Sequence, residues 1–150
     1  MKEDKDSEIQ YNGPLVIMVN SGSASASEIL AAAMQDYERA VIVGSATTFG
    51  KGTVQRLIDL DRAVESSFNS IKPLGSVKLT TQKFYRIDGT TTQLQGVKPD
   101  IILPDRYTYI DRGEKEHEYP LEWDEIEPAT YKKTGHLKNL KSVQLSLIHI

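Results

Sequence analysis

The sequence predicts an α/β fold, and three observations support that prediction. Two short apolar runs, at 15–19 and 40–43, show little alternation, which is typical of strands buried on both faces of a parallel sheet. Between them, apolar residues three and four apart predict a helix from Ser25 to about Glu38. Together they form a βαβ unit. Farther along, residues 77–87 alternate between β-branched or aromatic and polar side chains, which indicates an antiparallel ribbon.

The elements follow one another in order along the first two thirds of the chain. The spacing Ser25-x-x-Glu28 is a capping box, which predicts that the helix starts there. After the second strand and a glycine-bearing loop, residues 54–60 predict a third strand. Residues 61–75 combine serines with Pro73 and Gly75, which favours little regular structure.

The second half of the chain contains shorter predicted elements. Asp88-Gly89 is a turn signal, after which residues 93–96 are predicted to pair back as a short strand. Residues 101–103 form a further apolar run that ends at Pro104. Beyond it the chain becomes acidic, and residues 128–141 are predicted to be helical or loop-like.

Composition excludes several classes of function. A formal net charge of −3 gives no basic surface, so nucleic acid is not an expected partner. The chain has no cysteine, and its three histidines lie far apart in the last third, so neither a metal site nor a cofactor is expected. No apolar run approaches the roughly 18–20 residues that a membrane-spanning helix needs.

Two unusual stretches suggest a serine–lysine pair. Residues 20–28 contain four serines, and Ser23 or Ser25 could act as a nucleophile at the helix start, where exposed N–H groups can bind an oxyanion. A serine hydroxyl needs a base, and Lys51, between two glycines, could serve if it is deprotonated. The reference pKa of lysine is about 10.4, so burial would have to lower it by roughly 3 units. Alternatively, Ser25 is only a helix cap and Lys51 lies in a solvated turn.

Several ordered motifs resemble the tail-specific proteases, the C-terminal processing peptidases of bacterial envelopes and chloroplasts. They include Gly22-Ser-Ala-Ser-Ala-Ser-Glu28 and Thr48-Phe-Gly-Lys-Gly-Thr-Val-Gln55. The similarity continues through residues 74–86 and 92–104 and reaches about residue 135. The longer, periplasmic branch of this family is the most similar.

The resemblance assigns roles to five residues. It implies that Ser25 is the nucleophile, that Lys51 is the general base and that the Ala26 N–H forms part of the oxyanion hole. Gln55 matches a position that orients the lysine. Asp36 matches an acidic position of this branch, although it could equally be a polar residue near the end of the helix.

The resemblance also implies an architecture. The expected fold is a crotonase/ClpP-like βαβ core with an antiparallel ribbon over roughly 76–103 and a partly helical C-terminal extension. We expect a polar lead-in at 1–13, a partial catalytic core at 14–104 and a truncated extension at 105–150. The loop at 45–48 has one residue more than the relatives, which leaves the placement of Lys51 open.

The family's activity is serine-type endopeptidase cleavage of polypeptides with apolar C-termini, with no cofactor. The parent protein would be periplasmic or attached peripherally to the cell envelope. Members carry an upstream glycine-rich segment, which supplies a second oxyanion donor, and a PDZ module, and neither is recognisable here. An alternative is therefore a catalytically incomplete fragment, or a non-catalytic interaction domain that retains the fold.

Overall fold

The computed structural model describes residue 6 and residues 8–135, without the side chains of 66–68. It contains one α-helix, five strands and three short 3-10 helices within that part of the chain. The helix and strands are β1 (Val16–Val19), α1 (Ala26–Asp36), β2 (Val41–Gly44), β3 (Thr53–Asp59), β4 (Ser76–Lys83) and β5 (Ile101–Ile102). The 3-10 helices span Leu60–Arg62, Ser66–Ile71 and Glu114–Glu116.

A three-stranded parallel sheet forms the centre of the fold. Its order is β1-β2-β5, with Val16 aligned to Val41 and Val43 aligned to Ile101. Helix α1 connects β1 to β2, which confirms the predicted βαβ unit. The mixed α/β class is therefore correct, and the carboxyl ends of β1 and β2 both lead into the loops that bear the unusual serine and lysine stretches.

The core lies between α1 and one face of this sheet. Ala31 and Ala32 of the helix are buried and pack with Val19 and Ile42 of the strands. Alanine favours the helix and has a small side chain, so the helix can approach the strands closely. This close packing fixes the start of α1 relative to the ends of β1 and β2.

The second sheet is an antiparallel ribbon of β3 and β4, in which Thr53 is aligned to Lys83 and Asp59 to Ser76. The prediction of a ribbon over 76–103 was therefore wrong in its extent. Residues 76–83 pair back to β3, whereas β5 joins the parallel sheet. The alternating pattern of 77–87 identified a ribbon strand, but such a pattern does not identify its partner.

Two further predictions differ from the structure. Residues 93–95 form a turn rather than a strand, because Leu94 has a φ of 63° and the Gly96 N–H bonds to the Thr92 carbonyl at 2.8 Å. Residues 105–135 contain a single 3-10 turn and no α-helix, so the helical part of the extension is not present there. Residues 136–141 lie outside the described residues.

Other expectations agree with the structure. Asp88-Gly89 forms the predicted turn, closed by a hydrogen bond from the Gly89 N–H to the Arg86 carbonyl at 3.0 Å. Residues 61–75 contain only short 3-10 helices and connecting turns. Across residue 6 and residues 8–135, none of the helices has the length and apolarity needed to span a membrane.

Candidate active site

Glu28, in the first turn of α1, joins the two stretches that the sequence singled out. Its side chain is fully buried. One carboxylate oxygen, Oε2, accepts hydrogen bonds from the N–H groups of Ser25 at 2.8 Å and Lys51 at 2.9 Å. Because both nitrogens contact one oxygen, they lie within about 6 Å of each other. The structure thus brings the Ser25 and Lys51 backbones together through a single side chain.

The other oxygen of Glu28 binds the same loop from a second side. Oε1 accepts from the Gly50 N–H at 2.7 Å and from the Thr48 hydroxyl at 2.5 Å. A buried carboxylate needs such donors because it loses its hydration, and the N-terminus of a helix further favours negative charge. Glu28 therefore holds residues 48–51 against the start of α1.

Ser25 occupies the cap position of α1 with an unusual backbone conformation. Its φ of 57° and ψ of −113° lie in a region that non-glycine residues rarely adopt. The carboxylate half of the predicted capping box is formed, since Glu28 accepts from the Ser25 N–H, whereas the Glu28 N–H donates to the Ser25 carbonyl oxygen at 2.9 Å and the Ser25 side chain makes no cap hydrogen bond. Strain of this kind persists where surrounding contacts impose it, and it is concentrated at functional sites.

Lys51 lies between two glycines that the structure requires for different reasons. Gly50 has a φ of 88°, which disfavours any residue with a side chain. A Cβ at Gly52 would lie 2.5 Å from the Thr91 hydroxyl and 2.7 Å from the backbone nitrogen of Gln93. Both glycines are therefore required by the local backbone geometry, and the N–H of Lys51 between them is bonded to the buried Glu28.

The side chain of Lys51 contacts Gln55, as the family resemblance implied. Its Nζ donates to Gln55 Oε1 at 3.2 Å. A register shift in the β3–β4 ribbon falls between Val54 and Gln55. Bulges of this kind redirect side chains and recur next to active sites. The irregularity thus lies at the residue that contacts the lysine.

The loop at 45–48 is anchored at both ends. Ser45 donates to the Asp105 carboxylate, and the Thr47 hydroxyl donates to the Gln95 carbonyl at 2.7 Å. The buried Thr48 bonds to Glu28 and accepts from the Val97 N–H at 2.7 Å. Ala46 is the exposed residue between these anchors, so the loop projects into solvent there.

Asp36 lies at the opposite end of α1, about 16 Å from Ser25 at 1.5 Å per residue. It pairs with Arg86, whose Nε donates to Asp36 Oδ2 at 3.1 Å and whose Nη2 contacts Oδ1. Burial lowers the pKa of the Arg86 guanidinium, but hydrogen bonding to Asp36 and its charge outweigh burial and raise that pKa. The structure does not bring Asp36 together with Ser25 and Lys51.

An open groove of about 620 Å³ extends from Lys51 along the ribbon. Gln55, Lys78 and Thr80 of the ribbon line it, together with Phe49 and Ala24. The rest of its lining comes from the segment 113–124, which we call the strap. Within the described residues, no cluster of three His, Asp or Glu side chains is placed to hold a metal ion.

A sequence profile of peptidase family S41 matches residues 1–103, which is more than half of the chain. The chain belongs to peptidase family S41. It is 45% identical over 141 residues to the tail-specific protease of Haemophilus influenzae, a match that covers 90% of this chain and 19% of that protein. It is 36% identical over 115 residues to the carboxy-terminal processing protease CtpA of Bacillus subtilis, covering 74% of this chain and 22% of CtpA.

The fold is also similar to a solved structure. Mature CPAF superimposes with a TM-score of 0.52 and 25% identity, covering 66% of this chain and 17% of the CPAF chain. The chain spans about a fifth of the length of the curated relatives that it matches. The predicted resemblance to the tail-specific and C-terminal processing proteases is confirmed.

Sequence reasoning missed two residues of the site. The sequence pattern identifies Glu28 only as a partner in a capping box, although the same spacing places a carboxylate at the end of the serine-rich stretch. Gln93 is fully buried, and its Oε1 accepts from the Gly52 N–H at 2.9 Å. No local pattern signals Gln93, because it reaches Gly52 from 41 residues away in the sequence.

Proposed function

We propose that the complete protein is a serine endopeptidase of the tail-specific type, in which Ser25 is the nucleophile and Lys51 the general base. Neutral Lys51 Nζ takes the hydroxyl proton as Ser25 Oγ attacks the peptide carbonyl. The leaving amine departs with a proton returned from Lys51, and water then hydrolyses the acyl-enzyme to regenerate Ser25. The Ala26 N–H, at the first position of α1, contributes to the oxyanion hole.

The observation that carries this proposal is the shared hydrogen bonding of Glu28. One buried oxygen fixes the backbones of Ser25 and Lys51 together, although they are 26 positions apart in the chain. Gln55 supports the assignment because it is the hydrogen-bond partner of Lys51 Nζ and would orient the amine. Asp36 contributes through the stability of the fold, because its carboxylate pairs with Arg86 at the far end of α1.

The finer architecture belongs to the same proposal. We assign the βαβ unit and its ribbon to a crotonase/ClpP-like core, with a lead-in at 1–13, the catalytic core at 14–104 and an extension at 105–150. The strand pairing of β1-β2-β5 and membership of family S41 support this assignment. Parts of the complete enzyme outside these residues would supply the second oxyanion donor and a PDZ module.

Substrates would be extended polypeptides with apolar C-termini, in the periplasm or at the cell envelope. The names of the matched relatives, tail-specific and carboxy-terminal processing proteases, support C-terminal recognition. An extended peptide could add to an edge of the exposed β3–β4 ribbon that has no further strand among the described residues, since β-strand addition reads main chain more than side chain.

The test is hydrolysis of an unstructured polypeptide by the complete gene product that carries these residues. We expect cleavage when the substrate ends in apolar residues, and a strong decrease when the same substrate ends in two aspartates. Ser25→Ala should abolish cleavage while Ser23→Ala retains it. Equal cleavage by wild type and Ser25→Ala would refute the assignment of the nucleophile.

The coverage of only about a fifth of each relative supports a second candidate, in which these 150 residues alone form a catalytically incomplete unit. The same assay on the 150-residue chain distinguishes the two. We expect no turnover from the chain alone, and robust turnover dependent on Ser25 would refute the incomplete-unit alternative.

A further inference from the structure

We propose that Gln93 is a positioning residue for the proposed base, and that through Gln93 the strap helps to orient Lys51. This inference rests on the proposed function, because it takes Lys51 as the base that is oriented. The strap lies entirely outside residues 1–103, the part that the family profile matches. A segment beyond that match thereby contributes to the orientation of the base without belonging to the catalytic pair.

Gln93 is fully buried, and each polar atom of its side chain is bonded. Its Oε1 accepts from the Gly52 N–H at 2.9 Å. Its Nε2 donates to the Leu121 carbonyl at 2.9 Å and lies 3.5 Å from Glu114 Oε1. An amide has both an acceptor and donors, so glutamine satisfies this set of partners whereas an apolar or ionised acidic side chain does not. A buried amide bonded at both ends holds its partners at a fixed separation.

The bond to Gly52 bears directly on the direction of the Lys51 side chain. The Lys51 N–H is bonded to the buried Glu28 at 2.9 Å, and the next N–H along the chain, that of Gly52, is bonded to Gln93. The peptide units before and after Lys51 are therefore each held by a buried side chain. Because these two units together fix the direction of the Cα–Cβ bond, loss of either bond allows the amine of Lys51 to move.

The strap reaches the loop of Lys51 at two points. Before the lysine, the Glu114 N–H donates to the Phe49 carbonyl at 2.8 Å. After the lysine, the Leu121 carbonyl is linked to the loop through the side chain of Gln93. The two contacts lie on either side of Lys51 in the sequence, so a displaced strap changes the loop at both.

The far end of the strap is attached to the core by separate contacts. Trp123 Nε1 donates to the Thr91 carbonyl at 3.1 Å, and Lys83 Nζ lies 3.0 Å from Asp124 Oδ2. The Trp123 bond can be removed without any change at Gln93 or Lys51. A variant at Trp123 therefore tests whether the strap acts on the loop.

The first test measures peptide hydrolysis by the complete gene product in a variant that keeps the size of Gln93 but not its hydrogen bonds. Gln93→Met should lower kcat at least about tenfold with KM within about threefold of wild type, because misplacing a catalytic group by about 1 Å costs on the order of 100-fold. The matched control Gln95→Met makes the same change at an exposed position of the same turn and should keep kcat within about twofold. An unchanged kcat in Gln93→Met, or a loss that falls on KM alone, would overturn the proposal.

A second test separates positioning from a purely structural role. In a Lys51→Ala background, Gln93→Met should not lower any further the rate at which a fluorophosphonate modifies Ser25, because Gln93 acts through Lys51. A decrease by the same factor with and without the lysine would show that Gln93 only supports the fold, and would refute its role as a positioning residue.

The link to the strap has a readout that does not require turnover, the hydrogen exchange of the Gly52 amide. Gln93→Met should accelerate this exchange at least about tenfold, and Trp123→Phe, which loosens the strap, about threefold. Trp123→Phe added to Gln93→Met should have no further effect. Unchanged exchange in Trp123→Phe would overturn the link. Failure of the proposed function would appear differently, as hydrolysis that does not depend on Ser25, and the exchange rates would then still decide whether Gln93 joins the strap to the loop.

Discussion

The two ends of α1 each carry an acidic residue, Glu28 fully buried and Asp36 partly buried, but their surroundings are different. At the N-terminal end, Glu28 is bonded to backbone N–H groups and one hydroxyl. At the C-terminal end, Asp36 is bonded to the cation of Arg86. The first arrangement positions loops, whereas the second joins the helix to the turn that follows β4.

This difference separates two roles that look alike in the sequence. An acidic residue that receives several backbone N–H groups fixes the path of the chain around it, which is what a catalytic pair requires. An acidic residue paired with one arginine contributes mainly stability. We therefore expect changes at the N-terminal end to reduce catalysis beyond their effect on folding, and changes at the C-terminal end to reduce stability alone.

The largest effect should come from the proposed pair itself. Ser25→Ala and Lys51→Ala should each reduce kcat by at least about 10⁴-fold, because each removes one half of a single proton-transfer unit. The double variant should be no slower than either single variant, as measured by peptide hydrolysis with the complete gene product. A double variant that is slower by the product of both factors would show that the residues act independently.

Removing the Glu28 side chain should affect both stability and activity. Glu28→Ala leaves the buried N–H groups of Ser25, Gly50 and Lys51 without their partner, at about 1–3 kcal/mol each if they remain unsatisfied. We expect the free energy of local opening, measured by hydrogen exchange of the α1 amides, to fall by roughly 3–5 kcal/mol. Glu28→Gln, which retains the size of the side chain, should still reduce kcat about 100-fold or more.

Asp36→Asn should destabilise the fold with little effect on catalysis. It leaves the Arg86 guanidinium, whose side chain is only 19% exposed, without its carboxylate. We expect the free energy of opening, measured by hydrogen exchange of the α1 amides, to fall by about 2 kcal/mol. This is less than the loss expected for a fully buried pair. Activity per folded molecule should remain within about threefold of wild type. A decrease comparable to that of Glu28→Gln would remove the distinction between the two ends.

The smallest effect concerns the Lys133–Glu38 contact just beyond α1, where the two side chains approach to 2.7 Å. The hydrogen bond to Glu38 raises the pKa of Lys133 above its ordinary value of 10.5. The stabilisation of the fold by this contact is therefore complete at a pH below the ordinary pKa. It is lost as the pH rises through the pKa of Lys133 in the folded state. The difference in thermal midpoint between wild type and Glu38→Gln should shrink from pH 9 to pH 12. A constant difference would contradict this account.

Much of the fold could be predicted from local patterns. Apolar runs predicted β1 and β2, and helical spacing predicted α1. The expected burial of β1 on both faces was wrong, because Val16 and Met18 are 59% and 82% exposed. The partner of β4 and the turn at Leu94 could not be predicted, since register and a positive φ at leucine depend on contacts distant in sequence.

The candidate site was predictable only in part. Family motifs predicted Ser25, Lys51 and Gln55 as site residues. In the structure, Gln55 Oε1 accepts a hydrogen bond from Lys51 Nζ. The role of Glu28 has no local signature, because it depends on the 48–51 loop folding onto its carboxylate. The strap could not be predicted as part of the groove, because its long-range bonds to Phe49 and Gln93 have no local signature.

The most direct test of the central claim is the rate at which a fluorophosphonate probe modifies the complete gene product, with the modified residue mapped by mass spectrometry. We predict modification at Ser25 in wild type, a rate about 100-fold lower in Glu28→Gln, and a rate within about threefold of wild type in Asp36→Asn. Modification at another serine, or equal losses in the two variants, would contradict the claim that Glu28 holds the catalytic pair together.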